Sequence, residues 1–472
     1  MKSEFSVSLL SVACIVALAP PQAQQREGCD LEVLSRLGST GTRTTLAEGG
    51  LRYDIGGGVE ATCGNKWMRA DSVSSYQTRG VTYLFGNVQY RDDERLVNAE
   101  RATYYQIEDW VRAEDDVEVT DRSGRSRLTA PALDYYPLNA NRETERIVAH
   151  YRPHLTFYAD STGGTGQPFE VDADRMHIYG DSLIAGEGDV VATRGDLVAH
   201  SDSMDLNLAR GELWLLGEAP QVEANATLLQ GDSILVLLPG NQVREIQSWP
   251  DASATGEALE LRAPMLRLLI EDNEIARAVA SAGDSARTGA VRTENGEPWA
   301  HSVSQDYALT ADSIDILRPG GRLERVIAVG RARANTLTTF FPDDSLLSND
   351  WLVGDTITGH FAAADSSPEP NGEPELERLV ASGSAKALYH IVDEAGQAGT
   401  AERPAVNYVI GRIVTLALVG GEVHSAEVVG PSTGVYLEPL PPGQTRDTTA
   451  SPPDTSVVAD TVRLTRPGGG GG

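Results

Sequence analysis

Cationic residues are scarce in this chain: 39 Lys and Arg stand against 68 Asp and Glu over 472 residues, a net charge of −29. A nucleic-acid backbone calls for a basic footprint, so this deficit argues against a nucleic-acid partner and for a self-repelling, solvated surface. Aromatics are few, at 6% of residues, and there are three cysteines, at positions 14, 29 and 63. Beyond the first residues, no apolar run approaches the roughly 20 residues that a membrane-spanning helix needs. Signatures of chemistry are missing too. No HExxH, CxxC pair, EF-hand loop or GxSxG elbow occurs, so no metal or cofactor is implied. His150 and His154 are four apart, but the intervening Tyr151-Arg152-Pro153 is not helical, so they need not share a face.

What the sequence does contain is a repeat. Its pattern is apolar, any, small, Asp, any, apolar, any, apolar. It stands at Val171-Asp172-Ala173-Asp174-Arg175-Met176-His177-Ile178 and again at Leu309-Thr310-Ala311-Asp312-Ser313-Ile314-Asp315-Ile316. The pivots are Asp71, Glu100, Pro131, Asp174, Asp202, Asp232, Pro264, Asp312 and Asp355. They recur about every 30 residues, with three longer intervals, which marks a repeat architecture. Apolar residues before and after the pivot have opposite parity. Either the strand changes faces there, or a bulge or bend keeps all of them on one side, and one continuous apolar wall requires the bend.

A second element lies between pivots: a small residue or turn, then an alternating strand. Examples are Gly86-Asn87-Val88, Gly188-Asp189-Val190, Gly330-Arg331-Ala332 and Gly383-Ser384-Ala385. Short polar turns such as Ile107-Glu108-Asp109, Gly180-Asp181-Ser182 and Pro239-Gly240-Asn241 join the two elements. Each unit is therefore strand, turn, strand, and the chain is all-β. The Gly56-Gly57-Gly58 run reads as a tight turn, and Cys29 to Leu37 as the best candidate for a short helix.

The organisation follows from composition. Residues 1–23 read as a secretory signal, with Lys2, an apolar stretch from Val7 to Ala19, and Ala23 at the cleavage point. Cys14 follows Leu10-Ser11-Val12-Ala13, half of a lipoprotein box. Export implies an oxidising compartment, where Cys29 and Cys63 are expected to form a disulfide stabilising by roughly 3–4 kcal/mol. Repeat blocks are expected at 24–160, 169–282 and 306–438, the last degenerate and including a weak tenth unit around Val406-Asn407-Tyr408-Val409. Polar insertions at 161–168, 283–305 and 362–374 read as surface loops. Residues 439–472, rich in Pro, Thr, Ser and Gly, read as a disordered tail.

The pivot carboxylates invite a catalytic reading, which Pro131 and Pro264 oppose. A position that accepts Asp, Glu or Pro is serving backbone geometry, since Pro cannot exchange a proton there. What remains is a long apolar lining: Val97, Ala99, Ala102 and Tyr104; Leu128, Leu133 and Tyr135; Val171, Ala173, Met176 and Ile178; Leu229, Ile234 and Val236. It fits two states, a filled core or a groove between two sheets. Small residues beside the pivots, such as Ala70, Ala99, Gly231 and Gly354, are those that would leave room for a groove.

The segments Gly86-Asn87-Val88-Gln89-Tyr90, Leu96 to Tyr105 and Val111 to Glu114 together resemble the OstA-like repeat, as does Phe169 to Val191. That repeat belongs to the periplasmic lipopolysaccharide-transport bridge proteins (the LptA-like family) and to the N-terminal domain of their outer-membrane partner. The resemblance covers roughly Gly50 to His390. It implies a β-jellyroll, or β-taco, built from tandem strand-turn-strand repeats. The expected function is binding of lipid A acyl chains in an apolar groove, with transport to the outer membrane. Groove residues would be Val88 and the lining residues named above, without catalytic residues or cofactors. Expected partners are lipopolysaccharide or a related lipid, and other envelope components or a second copy, joined head to tail through edge strands. The expected location is the periplasm, with outer-membrane association. Two alternatives stand beside this: a non-catalytic β-solenoid scaffold of the cell envelope, and a carbohydrate-processing β-helix enzyme.

Overall fold

The computed structural model describes residues 32–438 and 459–465, apart from 36–37, 48, 124, 159–166, 225, 257–258, 291–297, 305, 339–346, 363–373 and 392–403. The described strands form one antiparallel sheet of 32. It is a meander in which long strands pair with the one before and the one after, as Arg95–Tyr105 does with Val81–Arg91 and Trp110–Asp121. Among the described residues the only α-helix is the single turn Ser285–Thr288, and no helix is long and apolar enough to cross a membrane.

Each pivot sits where the ladder slips register. Between Val81–Arg91 and Arg95–Tyr105, Gly86 and Asn87 face Glu100 alone; between Trp110–Asp121 and Arg127–Tyr136, Asp115 and Asp116 face Pro131 alone. The bulge residues lie in the left-handed region, with φ of +75° and +48° at Gly86-Asn87 and +64° and +49° at Asp115-Asp116. Bulges and pivots therefore alternate from strand to strand, and they fall on one line that creases the sheet down its length. The crease divides every long strand into a half on a first wall and a half on a second. In Arg95–Tyr105, Val97 and Ala99 lie before the pivot, Ala102 and Tyr104 after it, and all four are buried. The bend, not a change of face, reconciles the two parities.

The pivot carboxylate packs over the neighbouring bulge. A Cβ at Gly86 would come within 2.5 Å of Asp71 Oδ2, and one at Gly330 within 2.6 Å of Asp312 Oδ2. Asn87 donates to Asp71 Oδ2 at 2.8 Å. At Asp202 the partner is a backbone amide, Glu218 N, at 2.6 Å. These contacts give the repeated carboxylate a structural occupation at each of these creases.

Several expectations need correcting. The glycines beside the pivots leave no room: a Cβ at Gly231 would lie 2.2 Å from Ser248 Oγ, and one at Gly354 2.9 Å from Ser382 O. They are small because the neighbouring strands approach closely at the fold line. Gly57-Gly58 is a bulge inside the strand Leu51–Cys63, at φ +89° and +93°, not a turn. The stretch expected as a helix contains the strand Glu32–Ser35, paired with Val59–Thr62; its edge pairing outweighs a weak helical pattern. The insertion 283–305 holds the short helix and the strand Ala300–Ser304, which pairs on both sides. Within the tail, Ala459–Thr465 is a strand along Glu422–Leu437. The tenth unit is complete: Ala405–Val419 turns at Gly411-Arg412, and Val406, Val409, Val414 and Leu416 are buried.

The apolar interior is one cluster from Val59 to Val428. Pairing runs on through both points that separate the sequence blocks, with Phe157 opposite Phe169 and Ala280 opposite Ile314. The expected signal at 1–23, Cys14 and Cys29 lie outside the described residues. Cys63 is disulfide-bonded.

Candidate functional site: the interior and its mouth

All fifteen predicted lining residues face the interior. Val88, Val97, Ala99, Leu128, Val171 and Leu229 lie on the first wall. Ala102, Tyr104, Leu133, Tyr135, Met176, Ile178, Ile234 and Val236 lie on the second, and Ala173 is at the crease. None is more than 8% exposed. The walls are therefore shut on each other, with side chains from both in one packed layer. Surface clefts are present among the described residues. One is lined by His150, Tyr151, Arg152, Asp174 and Arg175, another by Asp115 to Glu118, Arg127, Thr129 to Pro131 and Arg152. Both lie at the crease, and neither runs between the walls.

Opposite the crease, two rows of hairpin turns form the lips of a mouth. In the first part of the sheet, polar side chains join the lips. Lys66, at the first lip, is bonded and ion-paired to Asp109 at the second. The Tyr104 hydroxyl donates to Asp109 Oδ1 at 3.1 Å and lies 3.1 Å from Cys63 Sγ. Asn139 donates to the other Asp109 oxygen at 3.0 Å. One step along, the buried Arg95 guanidinium crosses to Glu145, with Nε 2.8 Å from Oε1, and reaches Asp181 at 2.6 Å. The Tyr135 hydroxyl sits between two carboxylates, 2.8 Å from Asp92 Oδ2 and 3.0 Å from Glu145 Oε2. Tyr90 donates to the same Asp92 oxygen at 3.2 Å and meets Tyr135 edge-on at 5.7 Å.

The electrostatics agree with a closed latch. Burial, and then the nearby carboxylates, push the phenols of Tyr90, Tyr104 and Tyr135 well above their ordinary pKa, so they stay donors. For Arg95, burial pulls downward, but the bonds to Glu145 and the charges of Glu145 and Asp181 outweigh it and the pKa rises. Removing one partner would strand a charge in a dry site.

Beyond Asp181 the lips change character. Leu197, Leu208, Val243 and Leu323 pack half-buried against the core. Farther on, in the strands Arg325–Thr336 and Leu376–Ile391, many inward positions are small: Ala328, Ala332, Ala334, Ala381, Ala385 and Ala387. The described cross-mouth bond here is from the Tyr307 hydroxyl to Gly421 O at 3.0 Å. Other buried polar contacts, His390 Nδ1 with Asp350 Oδ1 at 2.6 Å and Asn407 with Tyr389 at 2.6 Å, join strands within the first wall.

The latch escaped the apolar reading of the sequence, yet the repeat carried a signal. Lys66 and Arg95 both stand five residues before a pivot, on the inward parity, where later units place Phe169, Leu197 and Tyr307. A cation repeated at an inward position announces a partner across the fold. Elsewhere, His150 faces Asp134 at 3.3 Å and His154 faces Asp172 at 3.1 Å, in separate pairs. Among the described residues no three His, Cys, Asp or Glu are grouped to hold a metal. Compared with known proteins, the chain matches no protein-family model and no curated sequence.

Proposed function

We propose that this chain is a periplasmic carrier that holds the acyl chains of lipopolysaccharide or a related lipid between its walls and passes them toward the outer membrane. One observation supports the reading above others: a single apolar interior runs unbroken from Val59 to Val428 inside one creased sheet with a mouth along its length. That creased sheet is read here as the β-jellyroll, or β-taco, of OstA-like proteins. The walls are shut, so a guest must part them. In the second half it would replace the packing of half-buried aliphatic side chains on the core with contacts to its own methylenes, each contributing about 0.8 kcal/mol on leaving water. Partners of the same architecture would join at the ends of the sheet by strand addition. No catalytic residue has a part in this reading.

The test is photo-crosslinking from Val97, Met176 and Ala334 to labelled lipid A, with exposed Glu94 as control. Labelling is expected from the interior positions and strongest from Ala334. Signal at Glu94 alone would overturn the carrier reading. It would favour a second one, a sealed envelope scaffold, which the burial of all fifteen lining residues supports. Uptake of a fluorescent fatty acid separates the two, because a sealed core takes up none.

A further inference from the structure

We propose that Lys66 and Asn139 become joined by a side-chain amide bond, which the protein forms on itself with Asp109 as the proton carrier. The groups stand together at the mouth. Asp109 holds Lys66 Nζ on one carboxylate oxygen, and its other oxygen accepts from Asn139 Nδ2 at 3.0 Å. The Asn139 side-chain carbonyl in turn accepts the backbone N–H of Asn141 at 2.9 Å. An amine, a carboxylate bonded to both reactants and a polarised carboxamide are what amide exchange needs: nucleophile, proton carrier and oxyanion donor.

The surroundings hold this set in place. Lys66 is 8% exposed. The Tyr104 hydroxyl donates at 3.1 Å to the Asp109 oxygen that Lys66 also contacts. Asn139 and Arg142 exchange backbone bonds at 3.1 and 3.0 Å. Arg142 Nη1 donates to the carbonyls of Asp109 at 3.0 Å and Pro137 at 2.7 Å, which ties the two turns into one frame. Composition points the same way. Lysine occurs only at positions 2, 66 and 386, and every other cation of the 39 is arginine. An arginine serves for an ion pair across the mouth one step along, at Arg95. A guanidinium keeps its proton and cannot attack, whereas an amine can.

The exchange conserves atoms and charge. The Lys66 ammonium passes a proton to Asp109, and the neutral amine attacks Asn139 Cγ while the oxyanion rests on Asn141 N–H. The Asp109 carboxyl protonates Nδ2, the Cγ–Nδ2 bond breaks and ammonia leaves. The extra proton on the new amide nitrogen returns to Asp109 and departs with the ammonia as ammonium. No oxidant or cofactor is consumed. The linkage would close the first part of the mouth covalently, and it stands apart from the carrier reading, which concerns the apolar interior.

Intact-mass measurement of the full mature protein, followed by tryptic mapping, tests this. The chain is expected to be lighter by one ammonia, with Lys66 resistant to trypsin and a branched peptide carrying both residues. Lys66→Arg and Asn139→Ala should each restore the missing ammonia. Asp109→Ala, with its strand content verified by circular dichroism, should stay unlinked, and linkage there would remove the carboxylate from the step. A wild type of unreduced mass overturns the proposal, whatever the variants do. So does ammonia loss that persists in Lys66→Arg, which would mark cyclisation of an asparagine on its own backbone. Loss of water in place of ammonia, with Lys66 joined to Asp109, overturns the assignment of Asn139 as acceptor.

Discussion

Between Cys63 and Asp181 the lips of the mouth are joined by phenols, carboxylates and two buried cations; between Leu197 and Leu323 half-buried aliphatic side chains at the lips pack against the core instead. The crease, the repeat and the inward parity are the same in both. The difference teaches that the fold line and the mouth are separately specified. Pivot and bulge set the crease, whereas residues beside the hairpin turns, Lys66, Arg95 and Leu197 five places before a pivot among them, set the character of the lips. A polar latch opens only by breaking directional bonds, and each group it leaves unpaired and buried costs about 1–3 kcal/mol. Aliphatic lips can exchange one hydrocarbon neighbour for another at little net cost. If the carrier proposal holds, a lipid guest would enter by the second half while the first stays clamped.

Arg95→Ala offers the harshest way to break this comparison. It strands Glu145, now without its cation, and should destabilise by about 3–5 kcal/mol in urea unfolding. Arg95→Met with Glu145→Leu should recover most of that loss, and a double variant no better than the single would show the latch was not a pair. Next come the crease substitutions, Gly86→Ala in the first region and Gly217→Ala in the second, each at positive φ with a pivot carboxylate against the position of the added Cβ. Both force a close contact and should cost about 1–3 kcal/mol, alike in the two regions if the crease is uniform. A large cost at one position and none at the other would show that the crease itself differs.

Smaller effects sharpen the picture. Tyr135→Phe removes a donor shared by Asp92 and Glu145 and should cost roughly 1–2 kcal/mol, whereas Leu208→Ala at the half-exposed lip should cost about 1 kcal/mol or less. Equal losses in thermal melts would erase the distinction between the lips. The smallest concerns pH. His177 and His360 are held below their ordinary pKa of 6.5, chiefly by burial and then by nearby arginines. The unfolded chain thus binds more protons. Their contribution is whole above pH 6.5 and is lost as pH falls toward the folded pKa values. Both groups are partly exposed, so the slope is shallow. His177→Gln should flatten the decline between neutral and mildly acid pH, and an unchanged slope would remove this histidine from the account.

Much of this was legible in the sequence because strand periodicity and repeat spacing are local. The pivots predicted the crease, and the parity mismatch across Glu100 predicted a bend that keeps Val97 and Tyr104 on one wall. The latch was less legible, since Arg95 and Glu145 are far apart in the chain and meet only when the walls close. The size of the crease residues misled for a physical reason: Gly231 is small to avoid Ser248, a contact that no inspection of its own strand reveals. Likewise the strand Ala459–Thr465 sits in a Pro- and Thr-rich segment whose composition gives no hint of the free edge it completes.

The alternation of pivot strands with bulge strands imposes a parity rule on growth. Two like strands set side by side would lose the match at the fold line, so the array can lengthen only by whole pairs. Each pair adds roughly 10 Å, twice the inter-strand spacing. A chain of this kind is a ruler graduated in units of two, and a gap to be bridged could be matched by duplicating or deleting units without redesigning the fold.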